Sequence, residues 1–364
     1  MTLSLYVARR FLTMLALIMA AFFGILFLLD LVEEVRRVAS GGIAAAAGLA
    51  LLHTPRSLYH ILPIIMVRTA IALFLRLART SELVAMRAAG RSGLRTLAAP
   101  FATALAFGLV AVAVLDPVAA ATGKRYDLLA ERYDQGGTTD ASFSGDGIWL
   151  RQGDANGQWV IHAARAAPDG AALFDVTFLS FGKTGGPKQR IEAASADLSG
   201  DGHWVAHDAK EWTFADTANP EATARLQDQI TLTTDLTAAQ IRGSSGAPDS
   251  VSVWDLPGYI ADLDRAGFSS RRHAVWLQME LALPLLLGAM VLVGAGFTMR
   301  HARFGQGGML VLLALVSGIA VFFVRNFAQV LGESGQIPIA LAAWSPPVAT
   351  LFLSVSLLLH LEDG

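Results

Sequence analysis

The sequence predicts an α-helical membrane protein with six transmembrane helices and an inserted all-β, jelly-roll-like domain. Three observations carry that expectation. Of the 364 residues 54% are hydrophobic and only 16% charged, a balance too apolar for a soluble enzyme. Six apolar runs, at about 11–29, 58–78, 94–121, 273–298, 307–330 and 339–361, approach the ~20 residues that a bilayer requires. Between the third and fourth runs the chain changes character. Over about 135–250 apolar residues alternate with polar ones, and Gly, Asp and Asn interrupt them at short intervals. The expected division is 1–134, with three spans and an inner-face helix at 79–92, then 135–250 as the β domain, then 251–364 with a connector and three more spans.

Arg9 and Arg10 precede the first run and place its start on the cytoplasmic side. The run is longer than a signal-peptide core, and Asp30, Glu33, Glu34, Arg36 and Arg37 follow before the small residues Ala39 and Ser40, so a retained helix is preferred to a cleaved one. Residues 38–57 are Ala-rich and read as a short outer loop or interfacial helix. The third span continues past Asp116-Pro117 into Lys124 and Arg125. In the insert, strands are expected near 147–152, 158–162, 173–181, 189–198, 203–214 and 229–236, with a hairpin loop at 154–157. Short strands at this spacing suggest a sandwich or jelly roll. Leu256, Tyr259, Ile260 and Leu263 recur at helical spacing and form an amphipathic connector back to the membrane.

The turn at 79–92 joins the second and third spans. It has strong helical propensity and ends at Gly90, a stop signal. Arg76, Arg79, Arg87, Arg91 and Arg95 surround one acid, Glu82, which puts the turn inside by the positive-inside rule. Such a helix suits a groove on a soluble partner; it equally serves as a basic turn that only fixes orientation. The wording Ser81-Glu-Leu-Val-x-Met-x-Ala-x-Gly90, about eighteen residues after Pro63, resembles the LptF/LptG permease family of the lipopolysaccharide-export ABC transporter. The six-span plan with its insert, Gly147-Ile-Trp and the segment Leu256 to Pro284 are similar to that family as well.

The resemblance implies a permease subunit, closer to the LptG type, in the bacterial inner membrane with its β domain in the periplasm. It implies a heterodimer with an LptF-type sister, an LptB-type ATPase dimer below, an LptC-type single-span protein, an LptA-type bridge, and lipopolysaccharide as substrate. This chain would hold no cofactor, with ATP and Mg2+ in the partner ATPase, and it would not itself be an enzyme. Glu82, Arg87 and Arg91 become the ATPase-coupling residues. Arg36 and Arg37, at the outer end of the first span, become phosphate contacts, for which guanidinium suits. A local ion-pair cluster with Glu33 and Glu34 is the competing reading.

Arg68 lies roughly 12 Å into the membrane, counting from His60 at ~1.5 Å per residue. An intramembrane charge is a functional candidate by default. Glu280, at comparable depth, is its expected partner, as a lateral gate or as a structural pair, and Arg325 could join the same wall. These three complete the substrate candidates. Trp149, Val160, Phe174, Phe178 and Phe181 could line an apolar route through the β domain or simply form its core.

Two patterns are set aside. Gly182-Lys183-Thr184 lacks the earlier Gly of a P-loop, since Thr177 stands there. His203 and His207 on a strand would be ~13 Å apart, too far to share a metal ion. Rival functions are an ABC permease for lipoproteins or other lipids, a membrane-anchored enzyme using the β domain, and a receptor. Such lipoprotein permeases usually have four spans, no acid, base and nucleophile cluster together, and no output domain is visible. Nucleic acid is not an expected partner; the net charge of −2 itself says little, because the distribution of charge matters more than its sum.

Overall fold

The computed structural model describes residues 2–38, 42–88, 90, 92–134, 148–154, 157–167, 171–182, 186–199, 202–214, 220–234, 247–265, 269–299 and 307–363. The chain divides into two compact units. One comprises residues 1–134, 248–257 and 271–364, and the other 135–247 and 258–270.

The first unit is helical. Its elements are α1 (Thr2–Arg37), α2 (Gly42–His60), α3 (Leu62–Arg79), α4 (Glu82–Ala88), α5 (Gly93–Val110), a π-helical stretch (Ala111–Leu115) and α6 (Asp116–Asp134). After the second unit come α7 (Leu256–Arg265), α8 (Arg271–Thr298), α9 (Gly307–Glu333) and α10 (Ile339–Asp363). Among the described residues, five helices are long and apolar enough to cross a membrane. The pair α2 and α3, bent by 67°, makes up to a sixth.

Two of these elements sharpen the expectation. Of the outer loop or interfacial helix expected over 38–57, it is a helix that forms, α2 from Gly42 onward, because the run 43–51 is mostly Ala and Leu, the strongest helix formers. The second span therefore begins as a bend. Pro63 in the first turn of α3 has no N–H to carry the ladder back to Tyr59, and the backbone turns at Ile61 (φ −95°, ψ 6°). The third span is longer than the apolar run that announced it, covering 95–130 as one helix with the π stretch inside it.

The core of this unit centres on α8, which is buried nearly all round. Its small residues allow close approach. A Cβ on Gly294 would lie 2.7 Å from Ala70 Cβ on α3, and one on Gly108 of α5 would lie 2.5 Å from Pro284 Cα. By contrast α1 and α9 turn many large apolar side chains outward, among them Leu17, Leu28 and Leu29 on one and Phe323, Phe327 and Val330 on the other. Helices with such faces belong in lipid or against another chain.

The second unit is a six-stranded antiparallel sheet: β1 (Ile148–Asp154), β2 (Gly157–Ala166), β3 (Ala172–Gly182), β4 (Pro187–Ser199), β5 (His203–Thr213) and β6 (Arg225–Thr233). All six expected strands are present. Their order is sequential, each strand pairing with the next, so the described strands make a meander. The sheet curls. Gln152 on β1 donates to the Thr233 carbonyl 2.9 Å away, at the far edge of the strand order.

Leu150, Ile161, Phe178, Ile191, Leu173, Val176 and Trp204 fill its buried face. The alternation breaks along one line across the sheet. Buried positions run 173, then 176 and 178 on β3; 191 and 193, then 196 on β4; 204 and 206, then 209 on β5. Asp175 (φ 53°) and Asp208 (φ 52°) take the left-handed conformation at this line, which Asp tolerates better than most residues. The change of parity keeps both halves of each strand facing the same interior.

Trp149 and Val160 alternate out of that interior, as does Phe174. Of the five residues expected to line a route, only Phe178 belongs to the buried core cluster. The outer face stacks Trp149 on His162 at 4.2 Å and Arg165 over Phe174 at 5.4 Å.

Candidate functional site

Charged side chains gather at three places in the helical unit. The first is the α3–α4 turn. Thr80 ends α3, Ser81 adopts φ 57°, and α4 starts at Glu82. An acid in the first turn suits the positive end of a helix. Glu82 does not stand free. Arg10 Nη1 donates to both its oxygens at 2.7 and 2.8 Å, Tyr6 at 3.2 Å and Thr80 at 2.9 Å. Partial burial works to raise its pKa, but these hydrogen bonds hold it below the usual 4.5. The sequence singled out Glu82 and missed Arg10 and Tyr6, which tie α4 to α1. Arg87 falls in α4 but its side chain lies outside the described residues, as does Arg91 altogether.

The second place lies among α2, α8 and α9. Glu280 is fully buried on α8, and Tyr59, one residue from the end of α2, donates its hydroxyl to Glu280 Oε2. Glu280 Oε1 has no hydrogen-bond partner among the described residues. Pro284, four residues on, also leaves the Glu280 carbonyl without its helical donor. Arg325, 7% exposed on α9, lies within electrostatic reach of Glu280 and Tyr59, but the two charged groups form no ion pair within 4 Å.

Arg68 is not in this cluster. It is exposed on α3, on a stripe with Ile64, Ala72 and Arg76, and has no polar partner among the described residues. The expected Arg68–Glu280 pair is therefore absent. The two lie at different levels as well as on different sides: α3 around Arg68 packs on α8 at Gly294, whereas Glu280 lies beside Tyr59 at the end of α2. Tyr59 is the group that meets Glu280, with Arg325 in electrostatic reach of it.

The third place joins α1, α2, α6 and the segment 248–254. Arg37 donates to the Tyr126 hydroxyl at 2.8 Å, Tyr126 donates to Glu34 at 2.6 Å, and Arg37 lies 3.8 Å from Glu34. Arg36 is exposed and has no partner among the described residues. Thus the two candidate arginines separate: one joins the local cluster and the other stays open. On α2, Arg56 holds Asp249 through Nε at 2.7 Å and Nη2 at 2.5 Å, and His60 Nε2 lies 3.0 Å from the same carboxylate. Burial works to raise the Asp249 pKa, yet the hydrogen bonds and charge of His60 and Arg56 bring it down to about 2. The only sequence signal for this clamp was the Arg56/His60 spacing of four, one helical turn.

The three places lie at breaks and turns of a bundle that carries one strand-rich insert. The family model for the lipopolysaccharide export system permease LptF/LptG matches residues 5–360, essentially the whole chain. The chain belongs to the LptF/LptG family. Comparison with curated proteins finds no match. As an LptF/LptG permease it is a membrane component of lipopolysaccharide export, and its apolar helices are the spans of a multi-pass protein. The match spans both family types and does not separate LptG from LptF.

Proposed function

We propose that this chain is a permease subunit, of the LptG type, that extracts lipopolysaccharide from the inner membrane with energy from a separate ATPase. The observation that carries the reading is the family match over residues 5–360, on a chain whose strand-rich insert lies between its third and fourth long helices. In this reading α4 is cytoplasmic and docks on an LptB-type ATPase dimer, which binds ATP and Mg2+. The insert is periplasmic. Its curled sheet is this subunit's part of a jelly-roll-like bridge toward LptC-type and LptA-type partners. The exposed apolar faces of α1 and α9 support a second permease, of the LptF type, and lipid as neighbours.

Among the substrate candidates, Arg36 and Arg68 are the cations left open for phosphate. An arginine within a span costs about 2.5–3.5 kcal/mol on insertion scales, a cost that an anionic ligand offsets. Side chains on a helix lean toward its N-terminus, which directs Arg68 toward the α2–α3 bend and the outer leaflet. Arg37, Glu280 and Arg325 shape the helices around that route. Glu82, with Arg87 and Arg91, fixes the angle at which α4 meets the ATPase.

The test is reconstitution in vesicles with the sister permease and ATPase, scoring ATP-dependent transfer of lipopolysaccharide to a soluble acceptor. Transfer that requires all three chains supports the reading. An assembled complex that hydrolyses ATP and transfers none overturns it. Replacing Arg36 and Arg68 by Gln should lower crosslinking of a photoreactive lipopolysaccharide; unchanged crosslinking removes both as contacts. The chain has no cysteine, so single cysteines at Val84 and Leu226 report their membrane sides without background. Labelling of both from one side would refute the topology.

A further inference from the structure

The helical irregularities of the first unit coincide in purpose. The α2–α3 break at Ile61 separates α2 from α3, and the π stretch at 111–115 separates α5 from α6. On one side of these points α3 and α5 pack on α8. On the other side α2 packs on α6, and its last turn also meets α8 through Tyr59–Glu280 and His60–Trp276. Short π stretches and element-terminal residues are where helices absorb backbone change.

The segment 248–254, by which the chain leaves the strand-rich unit, is bonded to the second group. Asp249 is gripped by Arg56 and His60 on the last turn of α2. The Val253 N–H donates to Asp116 at 2.7 Å, at the start of α6. Trp254 Nε1 donates to the Ala113 carbonyl at 3.1 Å. Pro117, four residues after Ala113, has no N–H to offer that carbonyl, so the indole takes an acceptor that the helix itself leaves open. The other root of the insert is α6 itself. Both ends of the strand-bearing stretch 135–247 therefore belong to one group of elements, and α3 runs from the break of that group directly to the α3–α4 turn.

We propose that α2, α6 and the strap 248–254 form a hinged tier that carries the insert, with the Arg56–His60–Asp249 clamp as the joint passing motion from α3 to it. Asp249 and Arg56 are positioning residues for transport in this scheme, which rests on the transporter reading above. The clamp suits that role. Arg56 presents a two-point grip on one carboxylate, Arg56 and Asp249 are largely shielded (20% and 15% exposed), and it sits within a turn of the break. A bond there resists rotation of the strap against α2 and so makes the two move together.

The experiment uses the reconstituted transporter and measures ATP hydrolysis and lipopolysaccharide transfer in one sample. The variants are Asp249→Asn, Arg56→Gln and the exchange Arg56→Asp with Asp249→Arg. Each single change is expected to leave complex assembly intact and hydrolysis within about twofold. Transfer per ATP falls about tenfold, the scale of a coupling between sites. The exchange restores most of it. Single variants with unchanged transfer per ATP overturn the joint. So does a parallel loss of assembly, hydrolysis and transfer, which marks a merely structural bond, and so does an exchange that rescues nothing. A wild-type complex that hydrolyses ATP without transferring lipopolysaccharide fails the transporter reading instead, before the variants are compared.

Discussion

Replacing Glu82 by Gln isolates the tie between α4 and α1. The side chain keeps its shape and loses its charge, so Arg10 keeps at most one bond, to a neutral oxygen, and faces an NH2 donor in place of the other. Hydrogen bonds to charged groups contribute about 1.5–3 kcal/mol, and exposed ion pairs about 0–1 kcal/mol. Arg10 is 16% and Glu82 27% exposed, between those regimes, so ~1.5 kcal/mol is the reasonable figure. Helix α4 has only seven residues and little intrinsic stability, so the loss falls on its local opening. Amide hydrogen exchange over 82–88 should accelerate about tenfold, since 1.4 kcal/mol is a factor of ten in an equilibrium constant.

The same tie carries a pH signature. The folded-state pKa of Glu82 lies below the usual 4.5, so its stabilisation is complete above that value and is lost as pH falls through the lowered one. Wild-type protection, corrected for intrinsic exchange, should drop in acid while the Gln variant stays flat. Equal exchange in the two proteins at neutral pH would refute the assignment of Glu82 as the anchor of α4.

Trp204 is fully buried beside Phe178, and Trp204→Ala should cost the sheet about 3–5 kcal/mol, read as faster exchange across β3, β4 and β5. Gly108→Ala forces a Cβ against Pro284 backbone and should cost about 1–3 kcal/mol, seen as a lower thermal midpoint in detergent; Gly24→Ala, with nothing within 4 Å, is the matched control. Tyr59→Phe strips Glu280 of the hydroxyl that donates to it and should lower the midpoint by the equivalent of about 1–3 kcal/mol, whereas Tyr6→Phe, at an exposed contact, should cost far less.

Local pattern was readable and azimuth was not. All six strands announce themselves because a half-buried strand must alternate, and Gly, Asp and Pro mark where it stops. The break of parity at Asp175 and Asp208 has no such mark, since any Asp between polar neighbours reads as a surface residue. Long helices are legible from composition, but the common depth expected for Arg68 and Glu280 is not found, because α3 meets α8 at Gly294, fourteen residues beyond Glu280. Which side of a helix faces inward depends on the packing of several helices together, and there the expected pair failed. The Arg56–Asp249 clamp spans 193 residues, and no local pattern links positions so far apart. Glu82 was found through its motif, but its partner Arg10 had been assigned only to membrane orientation.

The displaced alternation in the sheet has a consequence for cutting and splicing. Strands β3, β4 and β5 are written in two phases that meet along one seam. Removing a single residue at Asp175 would merge the phases on β3: Leu173 and Val176 would then stand two apart, both still facing in, with Phe174 still out. A deletion in a loop shortens a connection, and one at the seam spares the inward face; one elsewhere in a strand turns part of it inside out. Chimeras of this insert should therefore be joined in the hairpins, because a junction near the seam inherits its partner's phase on one side only.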